Sequence, residues 1–241
     1  MSTLNDRFAS SLLSFATLFI VVLAGCQAPG STPVSAPIPA PKLVLGDHWQ
    51  YKITDNLRRG AVTMMDVEVT AIANGIVTLH ETSVGPYGRS EENEEITAEG
   101  WLVFGSLKNE TFRRFPTPIE LYDFPLAQGK TWRQTVATTS PETQLPAQIL
   151  SYGTVQGLRQ VNVPAGSFNA VYIYRILQLD DDQFFRSRTE RRDSVWYAPE
   201  VKAPARELHD ASYVLYDGPE STLVRTENTT RELISFQPGR T

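Results

Sequence analysis

The sequence predicts an all-β or β-dominated domain, in which one large antiparallel sheet curls into a barrel or half-barrel and helices are few and short. Two observations lead to this fold class. After Lys42, short apolar or alternating runs recur between Gly, Pro, Asn and Asp residues, as strands do between turns. No segment keeps the helical spacing of apolar residues over 11 or more positions. Closure would protect the edge strands, and a two-sheet β-sandwich is the alternative architecture.

The predicted strands follow one another along the chain with short turn-forming segments between them. The clearest turn is Asn74-Gly75, because both central positions of a type I′ hairpin turn need a positive φ angle. The acidic triplet Asp180-Asp181-Asp182 lies between two runs and is predicted to form another turn. The predicted strands cover residues 48–54, 64–71, 76–82, 101–107, 131–138, 148–155, 161–163, 170–178, 184–189, 193–197, 205–208, 211–215 and 221–233.

The charge balance argues against nucleic acid as a partner. The chain of 241 residues has 27 acidic and 22 basic residues and a net charge of −5, whereas a nucleic-acid binder needs a basic face that neutralises phosphates. The densest basic cluster is interrupted by Glu190 and closed by Asp193, and we interpret it as a solvated strand face. It consists of four arginines: Arg186, Arg188, Arg191 and Arg192.

The first 25 residues have the plan of a signal peptide. Arg7 is followed by an apolar run over 8–23, which is short for a helix that crosses about 30 Å of hydrocarbon and ends in small residues. The next four residues, Leu23-Ala24-Gly25-Cys26, match every position of the lipobox, so the chain resembles the bacterial lipoproteins. We therefore predict that residues 1–25 are removed by cleavage between Gly25 and Cys26.

This resemblance implies that Cys26 carries a lipid. In bacterial lipoproteins the thiol receives a diacylglyceryl group and the new amino terminus is acylated, with palmitate as a typical chain, so the expected partner is a membrane. Gln27 stands where an Asp would retain the protein at the inner membrane. The resemblance therefore implies an outer-membrane anchor and a periplasmic domain, or the outer face of the plasma membrane in an organism with a single membrane. Cys26 is the only cysteine, so no disulfide forms within the chain.

A proline-rich segment separates the expected lipid from the folded domain. Residues 26–41 contain five prolines among small residues, a composition that favours extended polyproline geometry of about 3.1 Å per residue. We predict that this segment is a tether and that residues 42–241 form a single β-rich domain.

Two short motifs in the domain repeat or resemble known sequences. Gly46 and Gly129 each lie three residues before a Trp that starts a predicted strand, and we refer to these as the two Gly-x-x-Trp joints; they indicate either two halves of a duplicated sheet or a chance similarity.

The second half of the chain contains two further motifs: Val161-Asn162-Val163-Pro164-Ala165-Gly166-Ser167-Phe168 and Trp196-Tyr197-Ala198-Pro199. On these two motifs, the chain resembles an uncharacterised family of extracytoplasmic bacterial β-rich proteins over roughly residues 125–215. That family has no established activity to transfer.

The sequence contains no recognisable catalytic, cofactor-binding or metal-binding motif. The three histidines, His48, His80 and His209, are far apart in the chain, whereas zinc needs several ligands that converge; each is predicted to be a surface or strand-edge residue. The acidic run Glu91, Glu92, Glu94 and Glu95 is predicted to be a solvated loop before a strand. We therefore predict no cofactor and no metal.

Three functional hypotheses follow. The first is a non-enzymatic cell-envelope lipoprotein that binds a hydrophobic ligand or a protein partner, and an internal cavity would support its ligand version. The second is a structural component of an envelope complex. The third is a hydrolase with an unrecognised site, which requires a histidine and a carboxylate to meet in a cleft. The sequence favours the first two over an enzyme and does not separate them.

Overall fold

A single antiparallel sheet of twelve strands makes up most of the computed structural model, which describes residues 32–107, 112–141 and 143–240. In the described part of the chain, the one helical element with a name is the 3₁₀ turn Pro199–Val201. The strands are β1 (His48–Asp55), β2 (Ala61–Ala73), β3 (Ile76–Gly85), β4 (Gly88–Thr97), β5 (Leu102–Gly105), β6 (Arg113–Ile119), β7 (Thr131–Thr139), β8 (Pro146–Val163), β9 (Gly166–Gln178), β10 (Glu190–Ala198), β11 (Ala203–Asp217) and β12 (Glu220–Gln237). The predicted fold class is confirmed.

The strand order describes two meanders joined in the middle of the sheet. The order is β6-β5-β4-β3-β2-β1-β12-β11-β10-β9-β8-β7, so every neighbouring pair is consecutive in the chain except β1 and β12. The sheet is nearly closed into a barrel, with β6 and β7 as its two edges. Because there is one sheet rather than two packed sheets, the β-sandwich alternative is wrong.

Side chains join the two edge strands. The amide of Gln134 on β7 takes the place of a backbone partner: its Oε1 accepts from the N–H of Glu120 at 2.8 Å, and its Nε2 donates to the carbonyl of Pro118 at 2.9 Å. Trp132 Nε1 donates to the carbonyl of Glu120 at 3.3 Å. Prolines are tolerated at the edge of a sheet because they have no N–H to donate, which explains why β6 accommodates Pro118.

The barrel has two different ends. The lower end carries the turns at 74–75 and 164–165 and the 3₁₀ turn, and the upper end carries the turns at 56–60, 86–87 and 218–219. Alternate residues of each strand point inwards, and at the lower end these are mostly large and apolar. The inward residues that pack there include Trp49, Val67, Val69 and Leu233, and their burial closes this end of the barrel.

A buried carboxylate holds the lower end together. Asp47 is fully buried and accepts hydrogen bonds from Lys202 Nζ at 2.8 Å and from the backbone N–H groups of Val44 and Gly239 at 2.9 Å each. It therefore fixes the segment before β1, the 3₁₀ turn and the segment after β12 at one point.

The two Gly-x-x-Trp joints have the same local structure. Gly46 N donates to the carbonyl of Val69, and Gly129 N donates to the carbonyl of Val155, each at 2.9 Å. Both glycines have positive φ angles, 78° and 72°, and a register shift follows both valines. The joints begin β1 and β7, which are the first strands of the two six-strand meanders. This equivalence favours two halves of similar construction over a chance similarity.

Three segments differ from the predicted strands. The acidic run predicted as a loop is part of β4, and β6 was missed because Pro116 and Pro118 interrupt it. Residues 184–189, predicted as a strand, form a turn and an irregular connection in which Phe184 is 97% exposed. The hairpin turn at Asn74 and Gly75 is confirmed, with φ angles of 54° and 77°.

Part of the proline-rich segment lies along the barrel. Thr32 exchanges backbone hydrogen bonds with Leu158 on β8, and Ile38 exchanges them with Leu126, at 2.7–3.0 Å. Beyond Thr154, β8 has no partner from β7, so Thr32 occupies the free edge of that strand. The predicted signal peptide, Gly25, Cys26 and the start of the tether lie outside the described residues.

Candidate functional site

A cavity of about 690 Å³ occupies the inside of the barrel. Its lower part is apolar and aromatic, because the inward residues of β1 to β4 meet side chains from the connection between β6 and β7. Charged side chains begin opposite Val67 and Leu79, where Glu81 and Glu94 lie, and the upper part of the lining reaches the exposed Tyr87 in the turn between β3 and β4. The apolar lining includes Leu43, Trp49, Met65, Val67, Leu79, Ile96, Tyr122, Phe124 and Tyr197.

A network of ion pairs covers the wall formed by β9 to β12. Asp193 is fully buried between Arg175 and His209, which are its cross-strand neighbours on β9 and β11. Arg175 NH2 lies 2.9 Å from Asp193 Oδ2, and Arg191 Nε lies 2.7 Å from Asp193 Oδ1. Buried charged groups need oppositely charged partners, because removing an unpaired charge from water costs on the order of several kcal/mol.

A second carboxylate extends this network to β12. Glu207 Oε1 lies 3.4 Å from Arg175 NH2, and Glu207 Oε2 lies 3.4 Å from Arg231 NH1. Burial alone would raise the pKa of Glu207, but the charges of His209, Arg231 and Arg175 outweigh it and lower the pKa. Burial and the charges on Arg191, His209 and Arg175 act in the same opposing way on Asp193, and its pKa is held well below its usual range.

Two of the arginines also lie over aromatic rings. The guanidinium of Arg231 is 3.9 Å from the centre of the Tyr51 ring, and that of Arg175 is 5.1 Å from the centre of the Tyr122 ring. A cation over an aromatic face is stabilised by the ring quadrupole. These contacts lie between the apolar lower part of the cavity and its charged upper part.

The wall formed by β3 and β4 carries carboxyl groups without ion-pair partners. Glu81, Glu92 and Glu94 line the cavity, and Glu81 is directly opposite Glu92 in the ladder between the two strands. Within the described residues, none of the three forms a hydrogen bond or an ion pair. Burial raises the pKa of Glu81, and burial together with the neighbouring charge on Glu81 raises the pKa of Glu94 to about 8.

The acidic run therefore divides between two environments. Glu92 and Glu94 face the cavity, whereas Glu91 and Glu95 face outwards, where they pair with Arg89 and with Arg114. The prediction of a loop was wrong for all four residues, which belong to β4. The prediction of solvation is confirmed for Glu91 and Glu92, which are exposed, and was wrong for Glu94, which is partly buried. The alternation itself is visible in the sequence, but acidic residues on both faces of a strand hide it from a search for apolar alternation.

The three histidines lie in three different places. His48 is on the outer face, with Nε2 3.2 Å from Asp66, and His80 Nδ1 lies 3.0 Å from Asn93 Oδ1. His209 is inside the barrel, with its side chain 11% exposed, so its prediction as a surface or strand-edge residue was wrong. The signal that sequence reasoning missed is the alternation of β11, in which Glu207 and His209 both point inwards.

The contacts of His209 are those of a charge network. Its Nδ1 lies 2.7 Å from Asp193 Oδ1, and its Nε2 lies 3.8 Å from Glu207 Oε2. A hydrolytic triad needs one ring nitrogen directed at a nucleophile and the other at a carboxylate. Because both nitrogens face carboxylates, the meeting of a histidine and a carboxylate here does not favour the hydrolase hypothesis.

The acidic triplet and the arginine cluster are also partly buried. Asp180 pairs with Arg113 at 2.8 Å, and Asp181 accepts hydrogen bonds from the N–H and the hydroxyl of Thr189. The triplet lies outside the named strands, as expected for a turn, but it anchors the connection between β9 and β10. The prediction of one solvated arginine face was wrong, because Arg186 and Arg191 are buried or face the cavity.

In residues 32–107, 112–141 and 143–240, no group of three or more His, Cys, Asp or Glu side chains is arranged to hold a metal ion. Over the same residues, no helix has the length and hydropathy needed to cross a membrane.

Two solved structures resemble this fold at low sequence identity. A candidate lipoprotein from Parabacteroides distasonis is 13% identical, with a TM-score of 0.45, and the alignment covers 84% of this chain and 99% of that chain. A candidate exported protein with a YmcC-like fold from Bacteroides fragilis is 11% identical, with a TM-score of 0.42 and coverages of 84% and 100%. No protein-family model and no curated protein matches the sequence.

Proposed function

We propose that this protein is a cell-envelope lipoprotein that binds an amphiphilic molecule inside its barrel. The observation that carries the proposal is the internal cavity of about 690 Å³ with an apolar lower part and a charged upper part. This volume lies within the range of roughly 300–1,000 Å³ that is typical of small-molecule sites. The complete lipobox at Leu23 to Cys26 supports the envelope location, and Gln27 supports the outer membrane.

The two parts of the cavity match the two parts of an amphiphile. An apolar chain would displace water from the surfaces of Met65, Leu79 and Ile96, and each buried methylene group contributes about 0.8 kcal/mol. A polar end would lie among the charged groups of the upper part, where it keeps its hydrogen bonds. A purely apolar ligand would instead desolvate the carboxyl groups of β3 and β4, which is unfavourable.

Photolabelling of the full-length protein in its own membrane tests the proposal. The probe is a 16-carbon alcohol with a diazirine near the end of its chain, and mass spectrometry locates the labelled residues. We expect label on the inward residues Met65, Leu79 and Ile96, and competition by excess unlabelled alcohol. Label confined to outward-facing residues would exclude the cavity as the binding site.

A pair of variants on β3 provides the matched control. Leu79→Trp places a larger side chain in the cavity, whereas Thr82→Trp places the same side chain on the outer face. We expect Leu79→Trp to abolish labelling of Met65 and Ile96 and Thr82→Trp to preserve it. Equal labelling of the two variants would contradict binding inside the barrel.

A further inference from the structure

The charges that line the cavity are unevenly distributed between its two walls. On the wall of β9 to β12, the guanidinium groups are paired with carboxylates at 2.7–3.4 Å. On the wall of β3 and β4, Glu81, Glu92 and Glu94 have no cation within ion-pair distance in the described part of the chain. The carboxyl groups without a cationic partner are therefore concentrated on one wall.

These three carboxyl groups lie close to one another on β3 and β4. Glu81 and Glu92 are directly opposite, and Glu94 is opposite Leu79, one inward position away from Glu92 on the same strand. Like charges at directly opposed positions destabilise a sheet. Glu92 is exposed, so water and salt reduce its part of this repulsion. Glu81 and Glu94 are partly buried, and burial raises the pKa of both carboxyl groups.

Buried polar atoms without partners provide a second and independent observation. Among the described residues, the buried atoms that lack a hydrogen-bond partner include Arg175 Nε, Arg231 Nε and Glu227 Oε2. The side chain of Arg175 is 3% exposed, and that of Arg231 is 23% exposed. All three residues line the cavity. Buried donors and acceptors normally have partners, so these atoms leave a hydrogen-bonding capacity in the cavity lining that a polar group of a ligand could use.

These observations lead to a ligand class, and the inference rests on the function proposed above. We propose that the amphiphile carries an ammonium group, which lies against Glu81, Glu92 and Glu94, and an adjacent oxygen that accepts a hydrogen bond from Arg175 Nε. An ammonium group has three donors and one positive charge. It would therefore donate hydrogen bonds to several carboxyl oxygens at once and supply the cation that this wall lacks.

Competition against the photolabel in the native membrane tests the charge preference. The competitors are dodecylamine, dodecanol and dodecanoate, which share a chain length and differ in charge. A charge-assisted hydrogen bond contributes roughly tenfold in affinity. We expect half-maximal competition by dodecylamine at about one tenth of the concentration needed for dodecanol, and the weakest competition by dodecanoate. Equal competition by the three would overturn the ammonium assignment.

Two double variants of the same net charge provide the control. Glu81→Gln with Glu94→Gln changes two inward groups, and Glu91→Gln with Glu95→Gln changes two outward groups on β4. We expect the inward variant to lose the preference for dodecylamine over dodecanol and the outward variant to keep it. Retention of the preference by a folded inward variant would overturn the assignment of these carboxyl groups. The preference of the wild-type protein provides a test that does not depend on how well the variants fold.

The same assay distinguishes the possible sources of the ammonium group. It also distinguishes failure of amphiphile binding from failure of the ammonium assignment alone. Stronger competition by lysophosphatidylethanolamine than by lysophosphatidylglycerol would support a phospholipid headgroup as the source, whereas competition by dodecylamine alone would support a simple amine. If no competitor reduces the label, the function proposed above fails. If all compete equally, that function stands and only the ammonium group is excluded.

Discussion

Arg175 on β9 and Asp193 on β10 are cross-strand neighbours whose side chains meet inside the barrel, with 2.9 Å between NH2 and Oδ2. Both side chains are almost completely removed from solvent, at 3% and 0% exposure. Removal of Arg175 takes one cationic partner from Asp193 and one from Glu207, and both carboxylates stay buried. The pair is therefore a sensitive point for the stability of the charged wall.

We predict that Arg175→Met lowers the free energy of unfolding by about 3–5 kcal/mol, as expected when a buried ion pair loses one member. The control is Arg192→Met, because Arg192 pairs with Glu190 at the surface and is 59% exposed. That change should cost less than about 1 kcal/mol. Urea unfolding of the full chain measures both values, and similar losses in the two variants would contradict the role of burial.

The carboxyl group of Glu94 predicts that the free energy of unfolding falls as the pH rises. Its pKa is raised to about 8 by burial and by Glu81, against the lowering effect of Arg231 and Arg191, while Glu207 raises it further. The folded protein therefore holds a proton that the unfolded chain releases above about pH 4.3. Because the folded state binds more protons, this group's contribution to stability falls as pH rises from about 4.5 to 8.

We predict that Glu94→Gln reduces this loss, since glutamine stays neutral at every pH. Between pH 5 and pH 9 the free energy of unfolding should fall less in the variant than in the wild type, by on the order of 2 kcal/mol. Glu95→Gln, on the outer face of the same strand, should follow the wild type. Parallel curves for all three proteins over this range would show that Glu94 is not protonated in the folded state.

The lipobox predicts the behaviour of a Cys26→Ser variant. Without the thiol no thioether to a lipid can form, so the variant should leave the membrane fraction or stay uncleaved after Gly25. The wild type should incorporate labelled palmitate. Fractionation and mass spectrometry of the amino terminus measure both properties. Membrane attachment and cleavage that are unchanged in the variant would exclude lipidation at Cys26.

The packing of Trp132 against Gly153 predicts a strong effect of one methyl group. A Cβ atom at Gly153 on β8 would overlap the indole ring of Trp132 on β7, so Gly153→Ala should lower the free energy of unfolding by about 1–3 kcal/mol, as overpacking does. In a Trp132→Leu background the ring is absent, and the same alanine should cost much less. An equal cost in both backgrounds would contradict this contact as the cause.

The sequence correctly predicts those turns and strands in which the conformational preference of the local residues matches the observed structure. Asn74-Gly75 forms the expected hairpin turn because few other residues adopt two consecutive positive φ angles, and the apolar alternation around Trp49 correctly indicates a strand. Phe184 shows the limit of that signal, because an aromatic residue was taken as part of a strand although it lies almost fully exposed in a turn. Its burial depends on the path of the connection, which local pattern does not encode.

The candidate site was missed for a different physical reason. Glu92, Glu94, Arg191 and His209 read as surface residues because charged side chains are rarely buried. Here they line a cavity, and His209 pairs with Asp193 on the neighbouring strand. Only the ladder registers bring Arg175, Asp193 and His209 side by side, and those registers depend on the complete sheet.

The pairing of the first strand with the last has a consequence for biosynthesis. Every other ladder joins strands that are consecutive in the chain, but the ladder between β1 and β12 pairs His48 with Gln237. Contacts between distant parts of a chain form slowly. During synthesis, the backbone groups along one edge of β1 therefore lack their hydrogen bonds from β12 until that last strand has been synthesised. A fragment that ends before Glu220 would leave one edge of β1 and one edge of β11 unpaired, and such edges invite association with other chains.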